Sequence, residues 1–319
     1  MNILVTGGSG FIGSHFIEEF LKRNDVTKLY NLDANTYAAN KNLSFDKDSR
    51  YQKLTMDISS TSFPSYKSYF ESLNLDYVVH FAAESHVDNS ITGPKKFIET
   101  NIIGTFNLLE IFKSVNINKF IHISTDEVFG SLSYKESEFN VDSPYRPNSP
   151  YAASKAASDL LVRSYVKTYQ FPGIITNCSN NFGPRQFTEK LIPLSINKLK
   201  NKESIPLYGN GDNIRDWIYV KDHVNALINV LLDGKVGKQY LIGGDNEMSN
   251  IQLITTLKDI YSKVTGITVD WEWYTYVEDR KGHDLRYAID TFEFKNEFPQ
   301  FKLTPYNQSI EETVKSYIS

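Results

Sequence analysis

Cysteine is almost absent from this sequence, since Cys178 is the single cysteine among 319 residues. No disulfide can form within the chain, and this composition is typical of a protein from a reducing compartment. The six histidines are scattered and lack the spacing at which metal ligands recur. We therefore predict no metal site.

Long apolar runs and an excess of positive charge are also lacking. No apolar run approaches the ~20 residues that a membrane-spanning helix needs, and the first residues lack the charged start and apolar stretch of a signal peptide. Lysine and arginine total 34 against 38 aspartates and glutamates, a formal net charge of −4. That balance argues against nucleic acid as the main partner. We expect a cytoplasmic protein that binds neither a membrane nor nucleic acid.

Short apolar segments alternate with helical patterns up to about residue 180. This alternation predicts an α/β fold, with a Rossmann-type doubly wound parallel sheet. Beyond that point Pro184, Pro193 and Pro206 interrupt the pattern, which predicts a smaller, mixed C-terminal lobe. The predicted strands are 2–7, 28–33, 51–58, 77–83, 120–125 and 173–179, and the predicted helices are 11–24, 96–115, 151–169, 221–234 and 250–266.

A glycine-rich loop follows the first predicted strand and opens the first predicted helix. The stretch "TGGSGFIGS" (6–14) places Gly7, Gly10 and Gly13 three residues apart, so that backbone N–H groups can approach a pyrophosphate at a helix N-terminus. Asp33 ends the second predicted strand about 20 residues later, where a carboxylate binds a ribose 2′-hydroxyl and repels a 2′-phosphate. This combination predicts NAD rather than NADP as the cofactor.

Two carboxylates stand side by side where the fifth predicted strand ends. In "STDEVFG" (124–130), Thr125, Asp126 and Glu127 follow the apolar run 119–123. A polar turn explains them, because aspartate and threonine are common in turns. An acid and a base for proton transfers on two neighbouring atoms also explain them. The triplet alone leaves both explanations open.

A tyrosine and a lysine lie one helical turn apart in "YAASK". Tyr151 and Lys155 share a helix face at positions i and i+4. A phenol is mostly protonated at neutral pH, and a nearby ammonium favours the phenolate. We therefore expect Lys155 to lower the pKa of Tyr151 toward the range that general base catalysis needs. Such pairs also occur by chance on helices, but this one follows a nucleotide-binding pattern.

Four stretches resemble the extended short-chain dehydrogenase/reductase family, namely "TGGSGFIG", "FAAESHVDNS" (81–90), "NIIGT" (101–105) and "YAASK". Within that family, and over essentially the whole chain, the sequence is similar to nucleoside-diphosphate-glucose 4,6-dehydratases. That similarity is carried by "STDEVFG", "NNFGPRQFTEKLIP" (180–193), "NIRDWIYVKDH" (213–223) and "DRKGHDLRYAID" (279–290). The glycine loop and the Tyr–Lys pair indicate only the large family, whereas the Thr-Asp-Glu triplet is far more specific.

The resemblance implies an NAD-dependent reaction on a nucleotide-linked glucose. C4 is oxidised, water is eliminated across C5 and C6, and hydride returns to C6 to give a 4-keto-6-deoxy sugar. By resemblance Asp126 is the acid at C6, Glu127 is the base at C5, and Tyr151 takes the proton of the 4-hydroxyl. Lys155 would hold the nicotinamide ribose, and Thr125 would hydrogen-bond the 4-oxygen. The bacterial enzymes of rhamnose biosynthesis match best, which implies dTDP-glucose as substrate, with UDP-glucose as the alternative.

The resemblance also extends to binding residues and to assembly. It implies a homodimer with a four-helix interface of helices 96–115 and 151–169, to which Phe97, Ile111 and Leu161 could contribute. The predicted cofactor-binding residues are Gly7, Gly10, Phe11, Ile12, Gly13, Asp33, Asn35, Asp57, Ile58, Ala82, Ala83, Thr100, Tyr151 and Lys155. The predicted substrate-binding residues are Ser85, Thr125, Asn180, Lys190, Leu191, Pro206, Tyr208, Arg215, Asn250, Arg280 and His283.

The chain is expected to divide into two lobes. Residues 1–179 would form the NAD-binding lobe, rejoined by about 213–242, and residues 180–212 and 243–319 would bind the nucleotide sugar.

Three other functions share parts of this pattern. A nucleotide-sugar 4-epimerase would share the cofactor loop and the Tyr–Lys pair, but it needs no acid and base at C5 and C6. A nucleotide-sugar decarboxylase resembles this chain in the glutamate of the triplet but not in the aspartate. A non-catalytic NAD-binding regulator would not need an intact catalytic set. The adjacent Asp126 and Glu127 therefore favour the dehydratase.

Overall fold

The strands form one large and two small sheets in residues 1–318, which are the residues that the computed structural model describes. They are β1 (Asn2–Thr6), β2 (Lys28–Asp33), β3 (Tyr51–Thr55), β4 (Tyr77–His80), β5 (Lys119–Thr125), β6 (Gly173–Cys178), β7 (Asn180–Phe182), β8 (Ile205–Tyr208), β9 (Ile214–Tyr219), β10 (Gln239–Ile242), β11 (Glu247–Ser249) and β12 (Tyr274–Val277).

The large sheet is parallel throughout and has the order β10-β6-β5-β4-β1-β2-β3. Helices cover both faces of such a sheet, so its strands are almost continuously apolar. In β1, for example, Ile3, Leu4 and Val5 are all fully buried. The order reverses direction at β1 and β4, which confirms the predicted Rossmann-type doubly wound sheet.

The helices are α1 (Phe11–Phe20), α2 (Lys67–Ser72), α3 (Val87–Thr92), α4 (Pro94–Phe97), α5 (Thr105–Phe112), α6 (Pro150–Tyr169), α7 (Leu191–Lys200), α8 (Val220–Asp233), α9 (Asn250–Thr265), α10 (Phe292–Glu297) and α11 (Tyr306–Ile318). Shorter 3₁₀ turns lie at Ser44–Lys47, Phe63–Tyr66 and Asp126–Phe129, and a π-helical segment lies at Ile98–Gly104.

The ends of α6 follow from its sequence. The Ser149 side chain caps the helix by accepting a hydrogen bond from the Ala152 N–H at 3.1 Å, and Pro150 occupies the first turn, where no intrahelical N–H is lost. Gln170 takes the left-handed conformation with φ 54° and ends the helix. The helix thus begins on the residue before Tyr151, as the sequence predicts.

The predicted helix 96–115 is interrupted, which the periodicity did not reveal. Asn101 is buried and its carboxamide bonds both main-chain groups of Glu84 and the Ser154 hydroxyl. The Thr105 hydroxyl donates a hydrogen bond to the Asn101 carbonyl oxygen at 2.6 Å. In a regular α-helix this oxygen would accept only from the backbone N–H four residues later, so the hydroxyl competes with the backbone hydrogen bond. These contacts accompany the wider π-helical segment between α4 and α5.

Pro193 was predicted to interrupt the regular secondary structure, and this prediction is wrong. It lies in the first turn of α7, where the missing N–H removes no intrahelical hydrogen bond. Further elements escaped the sequence analysis, and two of them matter for the large sheet and the smaller lobe. They are the short strand β10 on the edge of the large sheet and the C-terminal helix α11.

The smaller lobe is mixed, as predicted. Its three-stranded sheet has the order β11-β9-β7, with an antiparallel pair between β11 and β9, and β8 pairs with β12. A second apolar core joins these strands to α7, α9 and α11, and Phe182, Ile196, Leu253 and Ile310 are fully buried in it. Helix α8 packs on α1, and Phe294 of α10 packs against β10, so both return to the large sheet. The exact division of the chain into two lobes stays a prediction.

No helix within residues 1–318 is long and apolar enough to cross a membrane. Over the same residues no group of three or more His, Cys, Asp or Glu side chains could hold a metal ion. The cytoplasmic location stays a prediction.

After β10 the chain crosses into the smaller lobe at residues 244–246. This crossing depends on the absence of a side chain at Gly244. A Cβ there would lie 2.0 Å from the Trp217 carbonyl oxygen. The Gly244 N–H donates to the Asp216 carboxylate at 2.8 Å, and the Asn246 N–H donates to the same carboxylate at 2.6 Å. The backbone of the crossing therefore lies directly against β9.

Gly244→Ala should lower the free energy of unfolding by about 1–3 kcal/mol, because the added methyl group must displace main-chain atoms. Gly93→Ala is the matched control, since a Cβ at Gly93 meets its nearest atom at 3.6 Å, and it should change stability by less than about 1 kcal/mol. Urea denaturation of both variants measures the difference. Equal effects of the two substitutions would contradict this role of Gly244.

Candidate active site

A cleft of about 510 Å³ lies between the large sheet and the smaller lobe. It opens at the carboxyl ends of β1, β4 and β5, which is where ligands bind in open parallel sheets. The predicted site residues that line it are Gly7, Gly10, Phe11, Ile12, Gly13, Asp33, Asp57, Ile58, Ala82, Ala83, Ser85, Thr100, Thr125, Glu127, Tyr151, Lys155, Asn180, Lys190, Leu191, Pro206, Tyr208, Arg215, Asn250, Arg280 and His283.

Two predicted site residues do not line the cleft. Asn35 lies beside it and supports Asp33 through its main-chain N–H. Asp126 lies behind the cleft wall and is 1% exposed. Sequence reasoning also missed residues that do line it, including Tyr37, Asp88 and Tyr287. Asp88 and Tyr287 fall within the quoted stretches 81–90 and 279–290, which contained the signal.

The glycine loop brings the backbone close enough to form a phosphate cradle. Gly7 has φ +69°, and a Cβ on it would lie 2.6 Å from the Ala82 nitrogen, whereas a Cβ on Gly13 would lie 2.4 Å from the Gly7 oxygen. No side chain caps α1 at Gly10, so the first N–H groups of the helix are open toward the cleft. Together with the helix dipole, this cradle fits a pyrophosphate.

Asp33 is held in a fixed orientation at the end of β2. Its Oδ2 accepts from the Ser9 N–H at 2.9 Å, and its Oδ1 accepts from the Asn35 N–H at 2.7 Å. Each carboxylate oxygen can accept a further hydrogen bond. The side chain can therefore receive ribose hydroxyls while it repels a 2′-phosphate.

The turn Asp126–Phe129 separates the two neighbouring carboxyl groups. Thr125 ends β5 and caps this turn, with its hydroxyl accepting from the Glu127 N–H at 3.3 Å. The Asp126 side chain is buried in the protein, while Glu127 lines the cleft. A turn that served only to reverse the chain would leave its carboxylates in water. Their burial therefore favours the acid–base explanation over the polar turn.

Asp126 is almost completely desolvated. Its Oδ1 accepts from the Thr125 hydroxyl at 3.2 Å, and its Oδ2 has no hydrogen-bond partner. Burial, followed by the negative charges of Glu127 and Asp216, raises the pKa of Asp126 well above its ordinary value. The group is therefore suited to hold a proton and to donate it.

Glu127 has a different electrostatic environment. Burial raises its pKa, but the cations of Arg215, Lys190 and Arg280 act in the opposite direction. The nearby cations favour its carboxylate form, which is the form that accepts a proton. The two adjacent carboxyl groups are thus placed in environments that suit an acid and a base.

The Tyr–Lys pair lies at the centre of the cleft, but its electrostatics differ from the expectation. Burial, followed by the charge of Glu127, raises the pKa of Tyr151 well above 10. Lys155 does not lower it, because its Nζ is directed to the Ile123 carbonyl oxygen at 2.7 Å. Burial also lowers the pKa of Lys155 to about 8.

Arginine side chains line the opposite wall of the cleft. Arg215 donates to the Asp284 carbonyl oxygen at 2.9 Å and stacks on the Tyr287 ring at 4.2 Å. Arg280 pairs with the Asp88 carboxylate at 2.6 Å. Each guanidinium is oriented by these contacts, and a guanidinium offers paired donors to phosphate oxygens. This wall can therefore hold the diphosphate of a ligand whose other end reaches the carboxyl pair.

The sequence profile of the GDP-mannose 4,6 dehydratase family matches residues 4–304. The chain belongs to this family. It is thereby a member of the extended short-chain dehydrogenases/reductases, as the sequence predicts.

Relatives of this family member are similar over its full length. The dTDP-glucose 4,6-dehydratase of Salmonella typhimurium is 44% identical, and the match covers 100% of this chain and 93% of that protein. DesIV of Streptomyces venezuelae, a dTDP-glucose 4,6-dehydratase solved with NAD and TDP bound, is 40% identical with a TM-score of 0.93, over 100% and 97% of the two chains. A UDP-glucuronic acid 4-epimerase of Bacillus cereus has a TM-score of 0.88 at 26% identity, over 100% and 99%.

The buried carboxyl group should give the protein a distinctive stability profile. Because the folded state binds the Asp126 proton more tightly than the unfolded state, this group contributes a loss of stability as the pH rises from about 4 through its raised pKa. Asp126→Asn removes that loss. The free energy of unfolding of the variant, relative to wild type, should therefore increase as the pH rises from about 4 through the raised pKa of Asp126. Urea titrations across this range test it, and a difference independent of pH would contradict it.

Proposed function

We propose that this chain is an NAD-dependent dTDP-glucose 4,6-dehydratase, a hydro-lyase that produces dTDP-4-keto-6-deoxyglucose. The observation that carries the proposal is the pair Asp126 and Glu127, adjacent in the chain but held in environments that favour a proton donor and a proton acceptor. The full-length similarity to dTDP-glucose 4,6-dehydratases supports the same function.

NAD, when bound, would supply the hydride chemistry at C4 and C6. The backbone cradle at Gly7, Gly10 and Gly13 would hold its pyrophosphate, and Asp33 would bind the adenosine ribose. Tyr151 takes the proton of the 4-hydroxyl while Thr125, next to it in the cleft, hydrogen-bonds the 4-oxygen. Burial, followed by the charge of Glu127, raises the pKa of Tyr151, so a positive charge beside the phenol would favour this proton transfer.

Elimination follows because the C4 ketone makes the C5 hydrogen acidic. Glu127, which lines the cleft, removes this proton. Asp126 protonates the C6 hydroxyl as it leaves, for which its side chain must turn from behind the cleft wall toward the substrate. Asp126 can keep its proton until that point, because its buried Oδ2 has no other partner. The neighbouring positions in the chain match the neighbouring positions of C5 and C6 on the sugar.

The nucleotide end of the substrate would lie along the second wall of the cleft. Arg215 and Arg280 are proposed to bind the diphosphate, together with Lys190. Pro206–Tyr208 and Asn250 would contact the base. A 5-methyl group contributes only ~1–3 kcal/mol in an apolar pocket, so the preference for thymidine over uridine rests on the relatives rather than on this geometry.

The alternatives fit the site less well. The epimerase neighbour shares the fold at a TM-score of 0.88, so the fold alone does not decide between epimerase and dehydratase. A 4-epimerase or a decarboxylase has no hydroxyl to expel at C6 and thus no use for Asp126. A non-catalytic regulator would not need desolvated carboxyl groups, which lower stability.

Substitutions that keep side-chain size should separate the two proton transfers. Asp126→Asn and Glu127→Gln should each slow elimination by ~10²–10⁴-fold, but both should still reduce bound NAD when dTDP-glucose is added. Glu127→Gln should also lose solvent deuterium uptake at C5. Single-turnover absorbance of NADH and mass spectrometry of the sugar measure these steps.

Two controls complete this experiment. Tyr151→Phe should suppress the formation of NADH itself. Asp259→Asn changes an exposed carboxylate on α9, 66% exposed and outside the cleft, and should turn over like wild type. Wild-type turnover by Glu127→Gln would refute the proposal.

We also propose a homodimer, formed through the helices around residues 96–115 and 151–169. Of the three side chains expected there, Phe97 and Ile111 are buried within the subunit and cannot serve the interface. The aliphatic and phenylalanine side chains that these helices do expose are Ile98, Ile103, Phe106 and Leu160, each 40–52% exposed. Apolar groups exposed on neighbouring helices favour an interface there.

Sedimentation at micromolar concentration should give twice the 36.5 kDa mass of the chain. Phe106→Glu should shift the protein toward monomer, because it introduces a charge into the proposed apolar contact. Phe292→Glu is the control, since Phe292 is 65% exposed on α10, and it should leave the dimer intact. A wild-type monomer would contradict the proposal.

A further inference from the structure

A second buried carboxylate lies behind the cleft and takes no part in the mechanism above. Asp159 follows Lys155 by four residues on α6, which places both side chains on the same helix face. Asp159 is 1% exposed and Lys155 is 4% exposed. Lys155 lines the cleft, whereas Asp159 does not.

The Asp159 carboxylate is surrounded by neutral hydrogen-bond donors. Its Oδ2 accepts from the Ser124 hydroxyl at 2.9 Å, from the Tyr145 hydroxyl at 3.0 Å and from the Asn177 amide at 3.1 Å. Its Oδ1 lies 3.1 Å from His122 Nε2. Three donors on one oxygen hold this side chain in a fixed orientation.

The other titratable groups around Lys155 are neutral near pH 7. Burial lowers the pKa values of His80 on β4 and of His122 on β5. Burial raises the pKa of Cys178 on β6 to about 12. Burial lowers the pKa of Lys155, and the negative charge of Asp159 acts in the opposite direction.

The same carboxylate is connected to the catalytic triplet. The Asn177 amide group donates both to Asp159 and to the Thr125 carbonyl oxygen, the latter at 3.0 Å. Ser124, which directly precedes Thr125, donates to Asp159 as well. Asp159 is thus linked to the end of β5 and to the lysine on α6.

We propose that Asp159 is a positioning residue for this reaction, which keeps Lys155 protonated and fixes the end of β5 that carries Thr125, Asp126 and Glu127. As a catalytic role this rests on the proposed function, but the electrostatic coupling between Asp159 and Lys155 can be tested without substrate. An unpaired buried charge is strongly destabilising, whereas removal of both charges of a buried pair is tolerated. The two charges should therefore show coupling in stability.

A double-mutant cycle on the full chain tests the pair. Asp159→Asn and Lys155→Met should each lower the urea midpoint, and the double variant should unfold at a higher midpoint than either single variant, with and without saturating NAD. If Asp159→Asn does not fold, recovery of folding in the double variant supports the proposal. An additive cycle, or a double variant that also fails to fold, would overturn it. Neither outcome depends on whether dTDP-glucose is the substrate.

The pH profile tests the catalytic role. The rate should fall as pH rises through the Lys155 pKa of about 8. Asp159→Asn removes a charge that raises this pKa, so the alkaline limb of kcat should move to lower pH by about 1–3 units, with KM for the sugar nucleotide unchanged.

Tyr145→Phe is the control, because it removes one hydrogen bond to Asp159 but no charge, and Tyr145 does not line the cleft. Its alkaline limb should stay in place. A limb that Asp159→Asn leaves unshifted would show that Asp159 is merely structural.

Discussion

The desolvation of one carboxyl group, Asp126, is the constraint on which the active site depends. A buried carboxyl oxygen without a partner costs stability, so the surrounding structure must hold it in place. The turn that carries it is anchored by Val128 and Phe129, which are fully buried against Phe139 and Tyr145. Packing of this turn thus maintains a proton donor that the site would otherwise expose to water.

Burial raises the pKa values of both neighbouring carboxyl groups, but the charges around the cleft act on them differently. Arg215, Lys190 and Arg280 lie toward Glu127, whereas the carboxylate of Asp216 acts on Asp126 from the protein interior. Asp216 is itself held by the main-chain N–H groups of the crossing at residues 244–246. A backbone contact between the lobes therefore also sets the electrostatics of the acid.

Most of the large sheet could be predicted from the sequence. Strands that are buried on both faces are nearly continuous apolar runs, and such runs are visible in the sequence. Prediction failed where distant contacts decide the outcome. The carboxamide of Asn101 meets Glu84 and Ser154, and no helical period encodes this. Strand β10 has only four residues, too few for a periodic signal.

The candidate active site could also be predicted only in part. Motif spacing identified residues that line the cleft, since the ends of neighbouring strands and helices bring these stretches together. Spacing did not reveal that the pKa of Tyr151 is raised, because positions i and i+4 on a helix show neither the burial of the phenol nor that the Lys155 Nζ is directed to the Ile123 carbonyl oxygen.

The two-lobed path of the chain has a consequence for synthesis on the ribosome. The five strands that precede β6, and β6 itself, are complete by residue 178, yet the strand that pairs with the free edge of β6 is β10 at Gln239–Ile242. The nascent chain therefore carries an uncovered strand edge at β6 until residues 179–242 have been made, an interval in which it is open to pairing with other chains.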